Sequence, residues 1–547
     1  MQQERQGQNH YVTAPEDRIP VFQKIIYGMG SLGNDSQAAW IGQMVIILIL
    51  GLGISPLWVG LIGCIPRIFD AILDPIVGYI SDNTRSKYGR RRPFIFFGAI
   101  AAGICYVLMF QLYRHNSATF NSWYFLIFQV IFFIAFTCYS IPWIALGYEM
   151  TPDHHERTSL QSWSRVFAQV PWLLAPWCWA IMYSFKNPQT GSADPVLGAR
   201  IVSMVIGAVI IGAGVLPAIF IKEHFADLPK PEKKNPVKNL LKGIVVTFKN
   251  KLFVKICAVT FLIFNGFMLS STFIAYVVFF YVFQNAPSTD AAYAAGGKLL
   301  GIYGTFSAIC TVCVVSGIPW LSRKLGKRNA FFITIPISII GYLMKWIGYN
   351  QLHPASSELW NLLNGQGVLN FFKICALVAR EHYLLLACAP LIVFGLGSLF
   401  TIILSMVADV CDIDELKTGE RREGIFSAVY WWMVKLGLAF ASLIGGALLV
   451  WTGFKQELGI AQAVDTLLWM RILDVCIPIV TSLVAIFIIR TIGLTATKAY
   501  ETRLQVERRR GERRAEEERR EEERREEERR EEERRKEERR REQRRAE

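Results

Sequence analysis

The chain reads as an all-α polytopic membrane protein, and three observations carry that reading. Twelve long apolar stretches recur along its 547 residues, 52 % of those residues are hydrophobic, and Lys and Arg gather in alternate loops between the stretches. A soluble domain carries about 45–50 % apolar and about 25 % charged residues. Here the charged share is 19 % and the mean hydropathy is +0.30. Residues 501–547 hold 20 Lys+Arg and 19 Asp+Glu, so of the 59 basic and 45 acidic residues, 39 and 26 remain for the first 500. The net charge of +14 therefore divides into +13 for the apolar body and +1 for the tail. A basic excess in the apolar body suits loops facing anionic lipid and does not call for nucleic acid.

A helix that crosses the hydrocarbon core needs about 20 mostly apolar residues. Stretches of that kind lie near 24–51, 56–80, 93–113, 122–149, 161–185, 200–221, 252–284, 295–320, 328–349, 383–410, 424–451 and 466–492. The loop after the second carries Arg85, Lys87, Arg90, Arg91 and Arg92, and the loop after the eighth carries Arg323, Lys324, Lys327 and Arg328. The long connection after the sixth adds Lys230, Lys233, Lys234, Lys238 and Lys242. By parity these fall on one side, which the positive-inside rule makes cytoplasmic, together with both termini. No apolar run precedes Val21, so no cleavable signal is expected and the first helix is expected to act as its own insertion signal. The expected organisation is a cytoplasmic segment 1–23, a six-helix bundle 24–222, a cytoplasmic linker 223–251, a second bundle 252–492 and a cytoplasmic charged tail 493–547.

The two bundles show a weak internal repeat. Gly78-Tyr-Ile-Ser-Asp82 and then Gly89-Arg90-Arg91 follow the second stretch; Gly317-Ile-Pro-Trp-Leu-Ser322 and then Gly326-Lys327-Arg328 follow the eighth. Parallel six-helix halves joined by a polar linker are the layout of the major facilitator fold. The outer connection 351–381, with Trp360, Phe371 and Phe372, has the moderate hydrophobicity of an interfacial helix. The tail repeats Glu-Glu-Glu-Arg-Arg without an apolar stripe, which excludes a coiled coil. Spacings such as Glu521 to Arg524 and Arg525 favour an isolated charged helix; disorder is the competing reading.

Charges inside the apolar stretches are the functional signal, because they are expensive in lipid and imply a polar cavity. The second stretch reads Arg67-Ile-Phe-Asp70-Ala-Ile-Leu-Asp74-Pro75. Asp70 and Asp74 are one turn apart and Arg67 precedes Asp70 by three, so all three share a helix face. Two carboxylates so placed suit an exchangeable cation, H+ or Na+; a permanent ion-pair cluster is the bland alternative. Asp35 and Lys435 also fall at depth. Arg165 falls near the cytoplasmic end of the fifth stretch, where it pairs with an acid or snorkels. Lys435, far away in sequence, is expected to reach the carboxylates across a cavity between the halves. Tyr139, Trp143, Trp163, Phe400, Trp431 and Trp432 are candidates to stack on a sugar ring or line an apolar path, although aromatics also serve ordinary helix packing. The cysteines in apolar stretches, Cys310 and Cys313 among them, read as small buried apolar residues rather than a disulfide or metal set. No phosphate-binding G-x-x-x-x-G-K-[ST] is present, which argues against an ATP-driven pump, and no nucleophile–base or metal cluster suggests an enzyme.

Three motifs carry a resemblance. Arg67-Ile-Phe-Asp70-Ala-Ile-Leu-Asp74-Pro75-Ile-Val-Gly78 with Asn83-Thr84-Arg85-Ser86-Lys87-Tyr88-Gly89, then Val407-Ala408-Asp409-Val410-Cys411-Asp412 with Glu415 and Lys417, and Met433-Val434-Lys435, together resemble the glycoside–pentoside–hexuronide:cation symporters, the family of the melibiose permeases. The resemblance spans the transmembrane body and leaves out the tail. It implies cation binding at Asp70 and Asp74 with Thr137 as an oxygen ligand. It further implies substrate binding at Asp35 and Arg165, with Trp143, Phe400, Trp431 and Trp432 as further candidates, and coupling through Lys435 and Arg67. A cytoplasmic gate is expected at Asp82, Arg90, Arg91, Asp409 and Asp412. The chain departs from the family where a span-four acid becomes Ser140 and an asparagine between the paired acids becomes Leu73. A polar pair before the lysine becomes aromatic, in Tyr430-Trp431-Trp432. Loss of an oxygen ligand at Leu73 favours a proton over sodium. The run Ser86-Lys87-Tyr88-Gly89-Arg90-Arg91-Arg92-Pro93 is also similar to the plant sucrose–proton symporters.

The expectation is therefore a cation-coupled symporter of a sugar or glycoside in the cell membrane, working as a monomer by alternating access. It would use no cofactor beyond its coupling ion and no partner beyond its small-molecule substrate and the bilayer. A lysolipid transporter of the same superfamily, and a membrane sensor or scaffold using the tail, are the alternatives.

Overall fold

The computed structural model describes residues 18–151, 153–221, 243–352, 359, 362–363, 371–419, 422–493 and 496–546. Most of the expected N-terminal segment, most of the linker with its five lysines, and Trp360 lie outside the described residues. Among those described, long helices dominate. They are α1 (Val21–Met44), α2 (Pro56–Asn83), α3 (Arg92–Met109), α4 (Ala118–Glu149), α5 (His154–Leu174), α6 (Pro195–Phe220), α7 (Lys251–Val277), α8 (Thr289–Leu325), α9 (Lys327–Gly348), α10 (Tyr383–Ser398, carried on by Leu404–Thr418), α11 (Glu423–Trp451) and α12 (Val464–Arg490). The last helix, α13, covers Ala496–Ala546.

Eleven of these helices are long and apolar enough to cross a membrane. Among α1–α12 the exception is α1, which buries Lys24, Ser31 and Gln37 and also carries Asn34 and Asp35. Its helical run is also interrupted at Val45 before the short Ile46–Leu50, so the first stretch is two pieces. Proline shapes α5. Pro171 lies inside it, and Pro176 sits in the 3-10 turn Ala175–Trp177 that leads into Cys178–Tyr183. A proline inside a helix removes one backbone donor and bends the axis. In α10 the segment Leu399–Ile403 is a π-turn, a widening of the helix that is frequent at functional sites.

The helix pairs within α1–α6 recur within α7–α12. α1 packs on α5 and α6, α3 on α4 and α6, and α2 on α4; correspondingly α7 packs on α11 and α12, α9 on α10 and α12, and α8 on α10. The molecule is thus a pair of six-helix bundles in the major facilitator fold. The bundles meet along α2–α11 and α5–α8, and at the end remote from the basic loops they approach backbone to backbone. A Cβ on Gly446 of α11 would fall 2.3 Å from the Pro56 carbonyl oxygen, and one on Gly304 of α8 would fall 2.4 Å from the Pro176 ring. Trp177 Nε1 donates to Thr305 Oγ1 at 2.8 Å, and Gln456 Nε2 donates to the Leu50 carbonyl at 3.1 Å.

The second bundle contains a buried charge cluster that the sequence reading passed over. Asp474 of α12 is fully buried and accepts from Lys345 of α9 (2.8 Å), Ser270 of α7 (2.8 Å) and Tyr349 (2.6 Å). Every charge in this cluster is met, so it fastens α7, α9 and α12 together. All eleven cysteines are free thiols, but Cys313 and Cys476 are exposed rather than buried. Each lies on an outward helix face, where a thiol is apolar enough to sit among other apolar side chains.

The tail helix α13 runs 51 residues, about 77 Å at about 1.5 Å per residue. It is laced by i,i+4 pairs such as Glu516–Arg520 and Glu532–Lys536. Its first turns dock on the end of α10. There Arg510 forms a two-pronged bond with Glu415 (2.9 and 2.5 Å), and that hydrogen bonding holds the Arg510 guanidinium above its ordinary pKa.

Asp474→Asn should destabilise the purified protein strongly, since it leaves the Lys345 charge buried and unpaired; breaking such a pair costs about 3–5 kcal/mol. Thermal unfolding in detergent should show the double variant Lys345→Met/Asp474→Asn recovering most of the loss.

Candidate functional site

Midway along α2 and α11 the two halves exchange charge. Lys435 Nζ lies 2.9 Å from Asp70 Oδ2 and also bonds Asp74 Oδ2. Thr137 of α4 places its Oγ1 2.9 Å from the other Asp70 oxygen. The i,i+4 spacing in α2 puts both carboxylates on one face, and the α2–α11 packing brings the lysine to them. Asp70 is 4 % exposed, whereas the Asp74 and Lys435 side chains retain 26 % and 27 %. Charges at this depth stay accessible only beside a polar cavity. On α11 the residues between Lys435 and the basic end keep an open face: Gly424, Ser427, Ala428 and Trp431 are all exposed.

Arg67 does not join this cluster. Its guanidinium stacks 5.0 Å above the Phe133 ring, and no carboxylate lies within ion-pair distance among the described residues. The helical register points Arg67 at α4, so the shared face with Asp70 does not become a salt bridge.

A second polar group forms in the first half. α1 and α5 are clamped by Lys24–Glu156 (2.8 Å) and by the Ser31 hydroxyl donating to the Ser164 carbonyl (2.6 Å). One turn beyond that clamp, Asp35 accepts from Asn34 Nδ2 (3.3 Å) and from Trp172 Nε1 (3.5 Å). The Ser140 hydroxyl of α4 in turn donates to Asn34 Oδ1 at 2.6 Å. A serine–asparagine relay therefore reaches Asp35. Arg165 is exposed on α5, two turns from Trp172 on the same face, and makes no hydrogen bond or ion pair among the described residues. Sequence reasoning missed Asn34 and Trp172. Trp172 was within its reach, since a seven-residue step from Arg165 marks it.

The aromatic candidates divide. Trp143 is 4 % exposed, stacked between Tyr27 and Tyr139 at centroid distances of 5.0 and 6.3 Å, so it packs α1 on α4 instead of facing a cavity. Phe400, in the π-turn of α10, stacks on Trp431 with centroids 6.4 Å apart and meets Phe264 edge-on at 5.9 Å. Trp431, one turn from Lys435, is 43 % exposed; Trp432 is half-buried.

At the basic end, Arg91 bridges Asp82 (2.6 Å) and Glu149 (3.0 Å), and Arg90 also bonds Glu149. Asp409 pairs with Lys327 at 2.6 Å, and Asp412 lies 4.0 Å from Arg510. Glu149, Lys327 and Arg510 are the unassigned partners in these pairs.

Two six-helix bundles joined across a partly buried charge cluster on α2 and α11 have the major facilitator fold of membrane transporters. The family described as MFS/sugar transport protein matches residues 27–496, and the chain belongs to that family, which accords with its symporter motifs. An uncharacterized symporter of Synechocystis, sll1374, is 24 % identical over 80 % of this chain and 87 % of its own length. The isoprimeverose transporter of Lactiplantibacillus pentosus is 22 % identical over 78 % of this chain and 79 % of its own. Among solved structures, a bacterial homolog of the human lysosomal transporter Spinster aligns with a TM-score of 0.56 at 14 % identity, covering 89 % of this chain and 97 % of that one. The chain is a secondary transporter and a multi-pass membrane protein.

Proposed function

We propose that the protein is a proton-coupled symporter of a sugar or glycoside, with its basic end in the cytoplasm of a cell whose plasma membrane it spans. The observation that carries this reading is Lys435, on one half, held between Asp70 and Asp74, on the other. A cation arriving at the carboxylates competes with the lysine for them. Protonation of one carboxylate weakens the bridge between the halves, frees the ammonium and lets the halves rock. Leu73 offers no oxygen beside these acids, which favours a proton over sodium.

Asp35 and Arg165 are assigned to substrate hydroxyls, with Trp172 and the Ser140–Asn34 relay orienting the carboxylate. Trp431 and Phe400 supply an apolar wall for a ring face. The close packing of Gly446 on Pro56 and of Gly304 on Pro176, remote from the basic end, supports a form sealed outside and open to the cytoplasm. The symporter and isoprimeverose-transporter names of two relatives support sugar and cation as the cargo. The exposed Trp431 favours one second reading, an amphiphilic substrate such as a lysolipid.

In reconstituted vesicles, a panel of mono- and disaccharides should include one whose accumulation is driven by an inward proton gradient and abolished by a protonophore. Asp74→Asn should reduce that accumulation to the level of protein-free vesicles. Sodium-driven uptake would reassign the ion, and uptake of lysolipids in place of sugars would reassign the substrate. Ser140→Ala should weaken apparent substrate affinity by about fivefold, the effect of one neutral hydrogen bond, while leaving maximal rate near wild type; concentration-dependent uptake separates the two.

A further inference from the structure

The two halves secure their basic ends by different means. In the first half, Arg91 and Arg90 draw together the end of α2 at Asp82, the start of α3 and the end of α4 at Glu149. In the second half, Lys327 at the start of α9 reaches Asp409 of α10, but α8 ends in Trp320-Leu-Ser-Arg323-Lys324 with no acid. The end of α10 carries further acids, Asp412 and Glu415, and the tail helix meets them. Arg510 forms its two-pronged bond to Glu415 and lies 4.0 Å from Asp412. Arg509 Nη1 donates to the Leu416 carbonyl at 2.7 Å, meeting one of the backbone acceptors that a helix leaves unsatisfied at its C-terminus. Val506 is 3 % exposed and Thr502 8 %, so the dock has an apolar footing as well as charge. The family match ends at residue 496, where α13 begins, so the tail's side of this dock lies beyond the family's shared body.

The geometry points to the tail as an ionic latch: Arg509 and Arg510 occupy the acidic end of α10 and hold the protein in the form that is open at the basic end. The inference rests on the alternating-access reading above. To close that end, the second half must bring α10 toward the first half's basic α2–α3 turn, where Lys87 is exposed. Asp412 and Glu415 are the acids such a turn would attract. While Arg510 occupies them the attraction is weakened, and closing requires the tail to let go. A two-pronged arginine–carboxylate pair fixes geometry as well as charge, which suits a latch better than the single i,i+4 pairs farther along α13. Beyond Arg510 the residues whose side chains are described are exposed, so anything that grips the projecting rod is placed to pull the latch off.

The test needs no substrate, so its failure is distinguishable from failure of the transport reading. Nitroxide-bearing residues placed at Ser86 and Lys324 report the distance across the basic end in the purified full-length chain. Pulsed electron resonance should show mainly the long separation in wild type. Arg510→Gln should raise the short-separation population by about fivefold, the scale of a good ion pair near the surface, and Arg510→Glu should raise it further. Arg510→Lys, which keeps the charge but loses the second prong, should fall between wild type and Arg510→Gln. The proposal is overturned if neither Arg510→Gln nor Arg510→Glu changes the distribution, or if Arg510→Lys shifts it as much as Arg510→Gln.

Discussion

The bridge from Lys435 to Asp70 and Asp74 is the constraint on which the rest of the architecture depends. Two carboxylates one turn apart in an apolar helix are untenable alone, and among the described residues of the first half no cation pairs with them, since Arg67 is turned away onto Phe133. The compensating charge comes from the other half, so α2 and α11 must lie against each other. Gly60, Gly63 and Gly446 let the two helices approach closely where they cross, and the bridge makes the interface between halves an electrostatic contact as well as an apolar one. Opposite charges about 4 Å apart attract by about 4 kcal/mol at an effective dielectric near 20, while removing each ion from water costs several kcal/mol. The two terms nearly balance, so a single proton can decide whether the bridge holds.

The chain contains a second intramembrane pair, and the contrast explains which one suits exchange. Asp474 is fully buried and accepts from three donors at once. Nothing can approach it without breaking bonds that fasten three helices of one bundle. Lys435 and Asp74 keep about a quarter of their side-chain surface open, and their bridge spans two bodies rather than one. Equal chemistry in unequal settings thus gives a rivet in one place and a release point in the other.

Much of this was legible in the sequence, because a membrane writes its demands in composition. The apolar stretches gave the helices, the basic loops gave the parity, and the paired acids of α2 stood out against lipid. The same logic applied to Lys345 and Asp474 would have found the second cluster; neither has the like-charged i,i+4 partner that made Asp70 and Asp74 conspicuous. Other features depend on three-dimensional register. The Ser140–Asn34–Asp35 relay joins α4 to α1, and no spacing rule says which face of α4 meets which face of α1. Trp143 looked like a cavity residue by type, but its burial against Tyr27 and Tyr139 follows from the same register. Arg510 was hidden for another reason: in a segment with 20 basic residues, composition does not distinguish the one that docks.

The asymmetry of the basic end joins these strands. Duplicated halves would be expected to close by equivalent contacts, and the Arg91 cluster with Glu149 has its counterpart in Lys327 with Asp409. What lacks a counterpart is the acid at the end of α2, Asp82, since α8 ends on bases. The second half places its additional acids on α10 instead, and there the tail supplies Arg510 to Glu415. A contact lent by a separate helix differs in kind from one built into a bundle, because it can be withdrawn without disturbing the packing of that bundle. The central bridge and the tail dock are thus both salt bridges whose partners belong to different bodies, and it is this, more than their strength, that lets either one act as a switch.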